Sequence, residues 1–167
     1  MDLFDRFAGN DSWHARRLLE HAGTLKEEQL DRPLPTVVGL LPWRESNKTQ
    51  KPLLENIIFT QEVWTAALSG VDMDMNCPPK SQRSPQAMLQ WLEKTDAELH
   101  RIFSDIRNRS AWDDTFVDAL CEPAETFTFG GVFARIMTFN AHRRLMALDV
   151  FAQTRRPNLR FRRSHGV

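Results

Sequence analysis

The stretch Thr126–Gln153, TFTFGGVFARIMTFNAHRRLMALDVFAQ, decides the reading of this chain. Thr128 followed by Phe129, Gly130 and Gly131 is a helix start signal, because a threonine hydroxyl can accept from the free N–H groups of a first turn. Apolar residues then recur at three- and four-residue spacings, which predicts a long helix ending near Gln153 to Thr154. The same helix carries the densest run of chemically capable side chains: Arg135, Asn140, His142, Arg143 and Arg144. If the protein has a site, this helix is expected to furnish one wall of it.

Working outward, three more long helices are expected. Ser84-Pro85 pairs an N-cap with a proline in the first turn and opens a helix running to about Ile106. Thr49 caps a helix with Pro52 in its first turn, ending at Ser69 before Gly70. Asp2 to Ala22 forms the first, with Phe4, Phe7, Ala8, Ala15 and Leu18 on one face. Gly23 stops it, and Thr24 with Glu27 has the pattern of a capping box for a short piece, LKEEQLD. Pro33 and Pro35 break that piece, and Leu34 to Gln50 reads as a long crossover along the helices. Val71 to Arg83 reads as a loop, and Arg107 to Glu125 as an irregular segment in which DTFVDAL and AETFTF form short extended pieces. The expected architecture is all-α: a four-helix bundle in one domain, residues 1–154. Residues 155–167, with five arginines and no acid, form a basic and flexible tail.

Composition sets the outer limits. Hydrophobic residues make up 41% of the 167-residue chain and charged residues 26%, an ordinary soluble balance with room for a core. Lys plus Arg equals Asp plus Glu at 22 each, so the molecule has no overall bias toward nucleic acid, and five tail charges with Phe161 as the only aromatic make a weak site for it. No apolar run is long enough to cross a bilayer, and MDLFDRF lacks the features of a signal peptide, so a cytoplasmic location is expected. Cys77 and Cys121 stand in unrelated contexts and define neither a zinc motif nor a disulfide framework.

Three pieces in order, WHARRLL, LLENIIFTQEVWTAALSG and TFGGVFARIMTFNAHRRLMAL, resemble the DinB-like family from about Leu3 to Phe151. The most specific elements are Glu62-x-Trp64 before Leu68-x-Gly70, and Thr128-Phe129-Gly130-Gly131 leading into His142-Arg143-Arg144. The resemblance implies an up-down-down-up four-helix bundle, often dimeric. In many members it also implies a zinc or nickel ion held by three histidines, and in some members thiol-dependent transferase or isomerase activity. One family histidine lies about five residues before the Glu of Glu-x-Trp, which falls here at Ile57, or at Asn56 with a slip of one. The other two lie four apart on the last helix and fall at Phe139 and Arg143, with a further one a turn earlier at Arg135. Ile and Phe have no electron pair to give a metal and Arg repels one, so the usual metal site is expected to be absent and no cofactor is predicted.

Two functions stay open on these residues. One is a pseudo-enzyme: a homodimeric module that binds a small molecule or protein. The other is a thiol-dependent or metal-dependent transferase or hydrolase in the same cleft, with His142 as acid or base and Arg135 and Arg143 holding an anionic substrate. Arg135, Phe139 and Arg143 share nearly one helix face, where two guanidiniums could clamp an anion with Phe139 stacked on an attached ring. The plainer alternative is a solvated face or ion pairs to Glu62, Glu55 or Asp11. Ile57, Glu62, His14 and Asp11 complete the candidate cleft. Asp11 and His14 are an i, i+3 pair that could hydrogen-bond or simply sit on the surface.

Overall fold

The computed structural model describes residues 2–32, 50–73, 83–119, 121 and 123–155. Its elements are α1 (Leu3–Ala22), α2 (Glu27–Leu30), α3 (Gln50–Ser69), α4 (Pro85–Asn108), β1 (Thr115–Asp118), β2 (Glu125–Thr128) and α5 (Phe129–Arg155). Almost all of the expected crossover, most of the Val71–Arg83 loop and the basic tail after Arg155 lie outside the described residues. None of the described helices is long and apolar enough to cross a membrane.

The helix starts follow the chemistry of their caps. The Asp2 carboxylate accepts from the Asp5 N–H at 3.0 Å while Asp5 accepts from the Asp2 N–H at 3.1 Å, a reciprocal box that opens α1. Ser84 Oγ accepts from the Ala87 N–H at 3.2 Å to open α4, and Thr128 Oγ1 accepts from the Gly131 N–H at 3.1 Å to open α5. The expected Thr24–Glu27 box is not formed. Thr24 Oγ1 instead donates back to the His21 carbonyl at 2.7 Å, closing α1, and α2 starts later, where the Gln29 side chain accepts from the Lys26 N–H at 2.9 Å.

The helix ends are equally explicit. Gly70, at φ +64°, lets the Val71 N–H reach the Ala66 carbonyl and its own N–H reach Ala67, a Schellman closure of α3. Ser110 does the same for α4 at φ +55°, with the Ala111 N–H on the Ile106 carbonyl.

α1 packs on α4 and α5, and α3 packs on the same two helices. The apolar interior comes in two clusters. Leu18, Leu19, Leu53, Ile57, Leu92 and Phe151 belong to one, and Phe4, Trp64, Phe103, Ile106, Val132 and Ile136 to the other. Phe4 lies 5.3 Å from the Phe133 ring at one end of the α1–α5 pair, and His21 lies 5.2 Å from Phe151 at the other. Phe7, expected on the inward face, is 53% exposed, because the buried stripe of α1 runs through Phe4, Ala8, Asp11 and Ala15 and leaves it at the margin. The short extended pieces pair as an antiparallel hairpin with Phe116 opposite Phe127. Phe116 stacks on Phe129 at 5.3 Å and Phe127 meets Trp64 edge-on at 5.4 Å, so the hairpin closes over one end of α3 and α5.

Candidate functional site

One side of α5 faces α3. The Arg143 guanidinium donates to Thr60 Oγ1 at 2.9 Å, and Thr60 in turn donates to the Asn56 carbonyl at 2.7 Å. Phe139 lies between two cations, with the Arg135 and Arg143 guanidiniums 5.5 and 5.7 Å from its ring centre. Arg135 also lies 5.8 Å from Trp64 and 5.9 Å from Phe127. The negative faces of three rings thus lie around one guanidinium, which favours a cation there. The structure brings Arg135, Phe139 and Arg143 together as the helical spacing requires, and Ile57 sits on the opposing helix, buried.

A second polar grouping lies inside, between the two apolar clusters. Asp11 of α1 is 3% exposed and accepts from Asn140 Nδ2 of α5 at 3.0 Å, and from the Arg144 guanidinium. Gln61 of α3 donates through Nε2 to Asp96 of α4 at 3.3 Å. Burial holds the Asp96 carboxyl up at about 6, and the nearby charge of Asp11 pushes the same way. Hydrogen bonds from Ser12 and Gln61 and the charge of Arg16 oppose them. A void of about 10 Å³, the size of one water, is bordered by Asp11, Ser12, Gln61 and Asp96. The carbonyl oxygens of Gln61 and Asn140 are buried with no hydrogen-bond partner among the described residues.

The other expected residues fall apart from these groups. His142 is exposed on α5. His14 is exposed too and rests edge-on against Trp13 at 4.8 Å, while Asp11, three residues away, turns inward to Asn140 and Arg144. Asp11 does meet an α5 arginine, and that arginine is Arg144. Glu62 is half-buried on α3. Thr60, Gln61, Asp96 and Phe127 were not singled out from the sequence. Gln61 and Asp96 had a legible signal, since each interrupts an apolar stripe: Gln61 between Ile57 and Trp64, Asp96 between Leu92 and Leu99. Cys121 is a free thiol pushed up to about 11 by burial and by its hydrogen bond to Asp118 at 3.3 Å, the opposite of a reactive nucleophile.

The side chains at the three positions where the DinB-like resemblance puts metal-binding histidines do not suit a metal. Ile57 and Phe139 offer only hydrocarbon, and Arg143 offers N–H donors and a positive charge. Among the described residues, no group of three or more His, Cys, Asp or Glu side chains could hold a metal ion. Compared with known proteins, residues 11–147 match the model of the DinB superfamily. No curated protein and no solved structure matches the chain.

Proposed function

The chain belongs to the DinB superfamily, and on that footing we propose that it is a binding module rather than a metal-dependent enzyme. The packing contacts support an up-down-down-up four-helix bundle: Phe4 beside Phe133 and His21 beside Phe151 fit α1 and α5 running the same way. The pairing of Arg16 with Glu93 at 2.7 Å and of Phe4 with His100 at 5.3 Å fits α4 running against α1.

The observation that carries the proposal is the content of the α3–α5 cleft. Where three histidines would converge on an ion, Arg143 is tied to Thr60 and stacked on Phe139, with Arg135 on the ring's other side. Two guanidiniums beside the half-buried Phe139 ring suit a small anion, a carboxylate or phosphate attached to a flat group. The module is proposed to work as a homodimer in the cytoplasm.

Metal analysis of the purified protein tests the first half of this reading: substoichiometric zinc and nickel are expected. A full equivalent of either, lost in His142→Ala, overturns it. Thermal-shift titration with small carboxylates, phosphates and thiols tests the second half. Stabilisation by an anion is expected to vanish in Arg135→Ala/Arg143→Ala, and stabilisation that survives in that variant places the ligand elsewhere.

A further inference from the structure

We propose that the small void inside the bundle binds one monovalent alkali cation, held by side-chain oxygens of Asp11, Ser12, Gln61 and Asp96. These residues come from α1, α3 and α4. The site shares no side chain with the Arg135–Phe139–Arg143 group and goes beyond the anion reading of that cleft.

Two carboxylates alone do not make a site, and the side chain that points to a ligand is Gln61. It is 1% exposed, borders the void and gives Nε2 to Asp96 at 3.3 Å. That leaves Oε1 buried with no hydrogen-bond partner among the described residues. A buried carbonyl in this state is costly, and a positive guest beside it removes the cost. Asn140 repeats the pattern from α5, with Nδ2 on Asp11 at 3.0 Å and Oδ1 bare. Both amides turn their N–H groups to acids, so acceptors are in excess at this level.

Charge decides between a cation and a water. The Asp11 carboxylate is met by the Arg144 guanidinium. Arg16, whose charge reaches Asp96, is bonded to Glu93 at 2.7 Å. The hydrogen bonds that Asp96 accepts come from neutral groups, Ser12 and Gln61. A water in the void donates to Gln61 and Asp96 but brings no counter-charge, in a space also walled by Leu99 and Phe103. A cation answers the bare carbonyl and the carboxylate together.

The donors and the room then select the ion. Carboxylate, amide carbonyl and hydroxyl are hard oxygen donors, which suit alkali and alkaline-earth ions rather than zinc or nickel. The void of about 10 Å³ takes one guest without a water shell. Magnesium keeps several of its waters and calcium takes about six to eight oxygens, so neither fits among four side chains. One unmet negative charge asks for one positive charge. Sodium and potassium satisfy both conditions. Bound there, the ion ties α1, α3 and α4 at one level, so its binding is read as stability.

Thermal melts at pH 8 and constant ionic strength test the site, with choline chloride replaced stepwise by sodium, potassium or lithium chloride. Choline supplies salt but is too large for the void. The melting temperature is expected to rise saturably with sodium or potassium, by about 3 to 6 °C at ten times the half-saturating concentration. Asp96→Asn keeps the shape and removes the charge, and is expected to melt at the same temperature in choline and in sodium. Glu98→Gln removes a surface carboxylate of the same helix and is expected to keep the full response. Sodium-23 line broadening, present with the parent and lost with Asp96→Asn, reads the ion directly. Equal melting in all four salts means that the void holds water, and overturns the cation site. A response that survives Asp96→Asn, or that Glu98→Gln also abolishes, belongs to surface carboxylates and overturns it as well. Neither variant touches Arg135 or Arg143, so failure here leaves the anion reading of the cleft standing.

Discussion

Asn140 of α5 donates to Asp11 of α1 across 3.0 Å, and both side chains are buried. The same carboxylate takes the Arg144 guanidinium, whose side chain is 11% exposed. One acid therefore accepts from an amide N–H and a cation that water barely reaches, and the pair is worth more as a condition on the fold than as a source of stability.

Removing only one partner exposes this dependence. Asp11→Ala leaves Arg144 charged and uncompensated and is expected to lose about 3 to 5 kcal/mol of stability. Asp11→Leu/Arg144→Met removes both charges and is expected to recover most of that loss. Urea denaturation of the two variants measures the difference; equal losses would show that the ion pair is not what the site requires.

Asp96 sets a pH dependence. Its carboxyl is raised from 3.8 to about 6 in the folded chain, so the folded state binds the extra proton between those values and stability falls as pH rises through that window. The full penalty, about 3 kcal/mol, is present above pH 6 and absent below the unfolded value. Asp96→Asn is expected to match the parent near pH 4, exceed it in stability at pH 7, and flatten the profile between. Thermal melts across that range are the readout.

The cleft can be tested by restoring what it lacks. Ile57→His/Phe139→His/Arg143→His supplies three imidazoles at the positions implied by the family resemblance and is expected to take up about one equivalent of zinc, as three protein nitrogens suffice for an open site. The parent chain is expected to take up none under the same dialysis, measured by elemental analysis. A triple variant that folds and remains metal-free would show that the histidine positions are misassigned.

Two helix ends differ by a single side chain. Gly70 and Ser110 both close a helix at positive φ, where a Cβ is strained by about 1 to 2 kcal/mol. Ser110→Gly is expected to stabilise the protein by about 0.5 to 1 kcal/mol once the added freedom of the unfolded chain is subtracted, and Gly70→Ala to destabilise it by about 1 kcal/mol. Chemical denaturation with unchanged m-values checks both.

The sequence spoke most clearly where local chemistry decides the outcome. Ser84-Pro85 and Thr128 each open a helix as their side chains dictate, and Gly70 closes one. Thr24 shows the limit, because a hydroxyl near a helix end can turn backward as easily as forward, and only the position of Gly23 and His21 settles which. Phe7 shows another: periodicity locates a stripe but not its margin. The inner polar group was the least legible, since its members come from four helices. Asp11, Gln61, Asp96 and Asn140 each look like a local flaw in an apolar stripe, and their common level appears only when the helices are packed. The same applies to Phe139, whose two guanidinium neighbours follow from spacing while Thr60, Trp64 and Phe127 do not.

That inner polar level also constrains how the helices can slide. Moving α5 one turn along α1, about 5.4 Å, would still bury leucines and phenylalanines against apolar neighbours. It would also strand the Asp11 carboxylate against hydrocarbon and pull Arg144 away from it. A core of hydrocarbon alone tolerates many alignments of nearly equal energy; a single carboxylate placed midway admits one, so this chain gives up some stability to have an unambiguous native alignment.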